Sequence, residues 1–495
     1  MSADPARVPV IAGVGQVNDR PADDHEGMDS VQLMVAAARA AGQDAGGGLI
    51  AGCDWLGCVP QISFSDLDPE TLVPAALGIS PFVAHEGRAS GETPVRLLNQ
   101  AANAVVAGRA RVCLVTGGEA VLNSARQRQA GRPRGGTFHS ARTASAIRRR
   151  YGLVLPVDTY PLYENATRAA WGQSLADGQA ESGLIWSLMS AVAAGAEGAW
   201  IKSARTPGEI IGPAAGNRPI AFPYNKLMVA NSSVNQGGAF IVCSLATARA
   251  AGLPEDRLAY VWAGAAAHES EEPLERAAWN RPPEGMRVTL ERVLQANALA
   301  IGDLDYAELY SCFPCVPKMA RRVLGWPADR PVTVHGGLTF GGGPIAGYMN
   351  HAVVAMVQVL RRAGGTGLLY GNGGHCTHNH AIVVSRTPPP GEVLGKDFDY
   401  QAEADAARGA VPPVGDDYEG PVTTETYTVT YDRAGEPARG VVMSLAPDGT
   451  RVVAAVDATD TTAIAFLTDG KGEPVGAPGV TWKEGDTLRW RPALP

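Results

Sequence analysis

Between Pro94 and Val105 the apolar positions Val95, Leu98, Ala101, Ala102 and Val105 recur at helical spacing. This predicts an amphipathic helix that starts near the proline. Gly108 is placed to end it, and the apolar run Val112 to Val115 reads as a buried strand. The loop ahead of the proline leads into a helix N-terminus, where free N–H groups and the helix dipole favour an anion. Many enzymes keep a nucleophile at such a point. This loop offers Arg88, Ser90 and Gly91, and no cysteine.

The same alternation of strand, helix and glycine turn runs through the first 390 residues. Val8 to Val14 reads as a buried strand, and Asp29 or Ser30 can cap a helix from Val31 to Ala41, closed by Gly42. Asp54 to Pro60 is a second strand. Later, Leu258 to Gly264, Met286 to Ala298 and Tyr306 to Tyr310 repeat the strand, helix and strand. The loop Gly341-Gly342-Gly343-Pro344 then precedes a helix from Ala346 to Arg361, and Leu368 to Tyr370 and Ala381 to Ser385 follow as strands. First and second strands lie about 45 residues apart in both halves, with the loop and proline about 40 residues further on. Matched spacing predicts two similar α/β halves packed together, with sites where their loops meet. Gly13-Val14-Gly15 lacks the third glycine of a dinucleotide fingerprint and reads as a strand ending in a turn.

The expected division is an N-terminal half (1–119 with 247–257), an insertion running to the end of that half (120–246), a C-terminal half (258–390), a polar linker (391–417) and a β domain (418–495). The insertion carries a basic run, Arg126 to Arg150, without Asp or Glu. It is read as either a phosphate contact or a solvated loop. From Thr424 the period changes to two, with Tyr427, Val429 and Tyr431 on one face. Gly440–Leu445, Arg451–Val456, Thr462–Leu467 and Leu488–Trp490 are further expected strands, which suit a small barrel of the oligonucleotide-binding (OB) type.

Composition narrows the function classes. A net charge of −8 gives no reason to expect nucleic acid. No segment approaches the ~20 apolar residues of a membrane span. The start, MSADPARVPV, lacks the regions of a signal peptide. Seven cysteines fit reduced thiols and a cytoplasmic location.

Seven segments together resemble the thiolase superfamily, in particular the sterol-carrier-protein-x type and thiolase-like proteins with an additional C-terminal domain. They are VPVIAGVGQVNDRP, SGETPVRLLNQAANAVVAG, TYPLYENATRAAWG, FPYNKLMVANSSVNQGGA, ELYSCFP, GGLTFGGGPIAG and LYGNGGHCTHNHA. The resemblance implies a duplicated fold of α-β-α-β-α layers over roughly residues 8 to 386. It also implies a nucleophilic cysteine that takes an acyl group from coenzyme A, a histidine that activates it, a second cysteine as acid/base and an oxyanion-binding Asn or His.

Matched position by position, the chain departs from that set. The nucleophile falls at Gly91, beside Ser90; the activating histidine becomes Gly343; the oxyanion histidine becomes Tyr310; the second cysteine falls at Tyr370 or Gly371. Substitute candidates are Ser90, Cys312 or Cys376 as nucleophile and His378 or His380 as base. His375, Cys376, His378 and His380, with Cys312 and Cys315, have the donors of a zinc site; a pocket-lining role is preferred, and no metal or resident cofactor is expected. Arg148, Arg149, Arg150, Asn231, Ser232 and Asn235 are the candidate coenzyme A contacts. The expected function is an acyl-CoA-handling protein in lipid or sterol metabolism, binding or transferring acyl groups through an altered site, as a monomer or homodimer. The alternative is a scaffold for a protein partner such as a hydratase, an aldolase or an active thiolase.

Overall fold

The computed structural model describes residues 4–22, 27–86, 88–131 and 139–493. Nine strands form one mixed sheet: β1 (Pro9–Asn18), β2 (Trp55–Cys58), β3 (Phe82–Ala84), β4 (Val112–Ala120), β5 (Asn235–Ser244), β6 (Ala259–His268), β7 (Tyr306–Leu309), β8 (Thr366–Gly373) and β9 (His378–Ser385). Their order is β3-β2-β4-β5-β1-β6-β9-β8-β7. The seam is a short antiparallel pairing in which Val10 faces Tyr260 and Ile11 faces Ala259. Outward from it, each half passes through its first, last, next-to-last and second strand. The duplication expected from spacing is therefore present in the topology, although among the described residues the second half has no counterpart of β3.

The main helices are α1 (Ser30–Asp44), α2 (Thr93–Val106), α3 (Pro156–Ala170), α4 (Leu175–Gly195), α5 (Glu284–Ala296), α6 (Cys315–Leu324), α7 (Tyr348–Ala363) and α8 (Thr461–Thr468). α1 covers β1, β4 and β5, and α5 covers β6 and β9, while α2 and α7 touch each other and strands of both halves. The result is the α-β-α-β-α layering that the resemblance implies. Asp29 caps α1 through the Gln32 amide, and the Gln32 side chain returns the bond. The helix runs past Gly42 to Asp44, so that glycine is an interior residue and not the stop expected; a Cβ there would meet Ile50 at 2.5 Å. Gly15 has a similar purpose: its Cβ would lie 2.4 Å from backbone atoms of Ala37 and Ala41. Helix and strand touch there, which gives the Gly-Val-Gly stretch a packing role.

β5 was not expected as a strand; the stretch from Asn231 reads as a turn in sequence, but Asn235 opens a fully buried ten-residue strand between β1 and β4. The segment 391–417 also carries a helix, Gln401–Ala407, with Ala404 buried against Ala267 of β6 and Val288 of α5.

The C-terminal strands are β10 (Gly420–Tyr431), β11 (Pro437–Leu445), β12 (Arg451–Val456), β13 (Pro478–Glu484) and β14 (Thr487–Pro492). β10 pairs with β11 and β13, β11 with β12, β12 in parallel with β14, and β14 with β13. These pairings close a five-stranded ring of the OB type. One expected strand, Thr462–Leu467, is instead the helix α8. Asp460 caps it at the Ala463 amide, and Ala463, Ile464 and Leu467 are buried at helical spacing. The barrel sits on α3: Thr426 donates to the Leu162 carbonyl (2.6 Å), Asn165 to the Tyr427 carbonyl (2.9 Å), and Arg168 pairs with Glu473 (2.7 Å).

Candidate functional site

The N-terminus of α2 opens onto a cavity of about 330 Å³. Loops of both halves and of the insertion build it. Its apolar wall includes Leu155, Pro156, Val157, Phe313, Leu338 and Ile345. Of the residues singled out from sequence, it gathers Ser90, Gly91, Ser232, Tyr310, Cys312, Gly343 and His378.

At Gly91 a Cβ would lie 2.2 Å from the Asn372 carbonyl oxygen and 2.3 Å from the Tyr310 hydroxyl. The Tyr310 ring therefore occupies the space a side chain at position 91 would need. Its burial pushes the phenol well above its usual range, so it stays protonated. Beside it, the buried Ser90 hydroxyl donates to the buried carboxylate of Glu92.

Cys312 faces the cavity, but burial pushes its thiol up to about 12. It is a thiol at neutral pH and a poor nucleophile. Cys376 is fully buried outside the lining, its thiol raised by burial and by Cys312, with its backbone at a φ of 56°. Its amide donates to the Tyr160 hydroxyl (3.1 Å), which in turn reaches Asn372 Oδ1 (3.1 Å).

His378 stands at the cavity wall, 2.8 Å from Glu271, with the Arg88 guanidinium against its ring and paired to the same carboxylate. Against the effect of burial, hydrogen bonds from His378 and Arg88 hold the Glu271 carboxyl at about 2. His380 points away. It meets Asn99 at 3.0 Å, packs on Phe398, and burial holds its imidazole near 3. Among the described residues no three His, Cys, Asp or Glu side chains converge to hold an ion.

Tyr370 and Gly371 lie in β8 behind the cavity wall. The Tyr370 hydroxyl donates to Asn379 (2.7 Å), and a Cβ at Gly371 would meet Glu92 Cα at 2.8 Å. Among the described residues, the arginines of the basic run do not line the cavity. The short helix Ala146–Tyr151 turns Arg148 inward, where it donates to the Leu153 carbonyl (2.9 Å) and to His375 (2.9 Å). Arg149 donates to the Ala144 carbonyl (3.1 Å), and Arg150 pairs with Asp416 of the barrel side. Arg132 and Arg134 lie outside the described residues. Asn231 joins two cavity loops, donating its amide to the Leu338 carbonyl (3.0 Å) and accepting from Gly343 (2.8 Å). Asn235 is structural, accepting from the Asn123 amide (2.9 Å).

From sequence, Glu92, Glu271 and Asn372 carried no expectation, and Tyr160 read as a packing or capping residue of its helix, yet all four stand at the cavity. Glu92 was the findable one, two residues from Ser90. The others reach the cavity from elements far along the chain.

The family model for the thiolase-like protein type 1 additional C-terminal domain matches residues 400–486. Over its whole length the chain is similar to a monomeric SCP2-thiolase-like protein type 1 from Mycobacterium smegmatis: 28% identity over 99% of this chain and 100% of that one, with a TM-score of 0.83. Residues 400–486 thus match the additional C-terminal domain of thiolase-like protein type 1, and the whole chain resembles a protein of that type. The fold is shared more widely. The Ltp2-ChsH2(DUF35) aldolase matches at 20% identity over 77% of this chain and 98% of that one (TM-score 0.60). Human mitochondrial 3-ketoacyl-CoA thiolase in complex with CoA matches at 15% over 78% and 100% (TM-score 0.56). A comparison with curated proteins found no match. No helix among the described residues is long and apolar enough to cross a membrane.

Proposed function

We propose that this thiolase-like protein binds an acyl-CoA thioester in the cavity at the N-terminus of α2, in lipid metabolism, and does not run thiolate-based condensation. One observation carries this reading: Gly91 has no side chain and no room for one, because Tyr310 and the Asn372 carbonyl fill the place. The cavity itself remains, apolar-walled with a few converging polar groups, as small-molecule sites are. Coenzyme A appears by name in one structural neighbour, which supports the ligand class.

Calorimetric titration with acetyl-CoA and a longer acyl-CoA tests the reading. Saturable binding, unchanged after thiol alkylation, is expected; no heat with any acyl-CoA would overturn it. That second outcome would favour the scaffold reading. The scaffold reading draws on Phe82, 68% exposed on the edge strand β3, which leaves a sheet edge open to a partner chain.

A further inference from the structure

We infer that Ser90 is an acyl-accepting nucleophile with Glu92 as its proton acceptor, so that the cavity hydrolyses the acyl-CoA it binds. This rests on the proposed acyl-CoA binding. Three features place the pair. Ser90 lines the cavity and its hydroxyl donates to Glu92 Oε2, with both side chains buried. Gly373 makes the space for them: a Cβ there would lie 2.0 Å from Ser90 Oγ and 2.3 Å from Glu92 Oε2. The pair stands at the start of the fourteen-residue helix α2, whose N-terminus favours negative charge developing beside it.

The chemistry closes without a metal or redox partner. Ser90 Oγ attacks the thioester carbonyl carbon while its proton moves to Glu92. The C–S bond breaks, and the departing thiolate takes that proton to leave as free coenzyme A thiol. Water then attacks the acyl-serine ester with Glu92 accepting its proton; the C–Oγ bond breaks, and the proton returns to Ser90. A carboxylic acid and the free enzyme remain. The Tyr310 hydroxyl, beside Gly91 and held protonated by burial, is the cavity's donor to the tetrahedral oxygen.

The test is thiol release from acetyl-CoA and octanoyl-CoA, read together with intact mass and peptide mapping of quenched reactions. An acyl mass on the Ser90 peptide is expected. Thiol release should fall about 100-fold or more in Ser90→Ala and in Glu92→Gln. Gly373→Ala, which alters neither residue but takes their space, should lower it as well. Calorimetry of the same samples with acyl-CoA shows whether the cavity still binds. Undiminished thiol release in Ser90→Ala, an adduct on another residue, or binding with neither adduct nor thiol would overturn the inference while leaving the binding proposal standing. Absence of binding in the unaltered protein would sink both.

Discussion

The two central helices begin in loops that differ in one measurable way. At Gly91, ahead of α2, an added Cβ would sit 2.2 Å from a backbone carbonyl and 2.3 Å from Tyr310. At Gly343, ahead of α7, it would sit 3.2 Å from the Asn231 and Leu338 carbonyls and 3.4 Å from Ala230. Both positions carry glycine where the family resemblance implies a reactive side chain. The first place has been filled from the other half of the molecule. The second is snug, and a Cβ there would need its neighbours to give by only a few tenths of an ångström. A pseudo-symmetric fold can thus lose two groups in unlike ways, one blocked outright by packing and one only crowded by it.

The largest expected effect comes from forcing the locked side. Gly91→Cys should destabilise the protein by about 3 kcal/mol or more, since both a ring and a main-chain carbonyl must move. Thermal unfolding reads this, and pairing it with Tyr310→Ala should recover only part because the Asn372 carbonyl stays. A Gly91→Cys protein as stable as the parent would end the contrast between the two loops.

A second effect shows where the halves agree. Burial lifts the Glu119 carboxyl to about 7 against bonds from Ser63 and Ile62, and lifts Glu308 to about 7 against bonds from Val334, Tyr348 and Thr333. Each stays protonated in the folded chain while an unfolded glutamate, titrating near 4.5, is already ionised. The unfolded state therefore binds fewer protons in that window, and stability falls as pH rises from about 4.5 through 7, by roughly 2 kcal/mol per carboxyl. Denaturant unfolding across pH 5 to 8 measures the slope, and Glu119→Gln or Glu308→Gln should each flatten it.

Gly343→His tests the less crowded side. It should fold at a cost of about 1 kcal/mol, and because Gly343 lines the cavity it should weaken acyl-CoA binding about tenfold by calorimetry. The smallest effect belongs to Cys312. Its thiol is held near 12, so Cys312→Ser should leave binding within about a factor of two, and alkylation at pH 8 should be slow by mass spectrometry.

Much of the fold was legible locally. Pro94 and the spacing of Val95, Leu98 and Val105 marked α2 within a residue of its start. The repeated spacing of strands and loops disclosed the duplication. Misreadings came where two periods compete over a short stretch. Thr462–Leu467 is rich in β-prone residues, yet Asp460 caps it and Ile464 and Leu467 bury one helical face. Asn231 to Asn235 carries turn residues, yet its end enters the sheet because β1 and β4 leave a slot between them. For the site, Ser90, Gly91, Tyr310, Cys312, Gly343 and His378 were found from sequence and do share one cavity. Arg148 was not separable from its neighbours, because a six-residue helix turns one arginine of three inward.

By itself the sequence determined which elements form and that they form twice, because periodicity, caps and glycine turns act over a few residues. It also determined that Gly91 and Gly343 have no reactive atoms. Only the tertiary structure decided that Tyr310 stands in the space at Gly91, that Gly373 lets Ser90 and Glu92 meet, and that His380 and Cys376 are turned away from the cavity. Those outcomes depend on distances of a few ångströms between segments hundreds of residues apart, which only the packing of the two halves brings together.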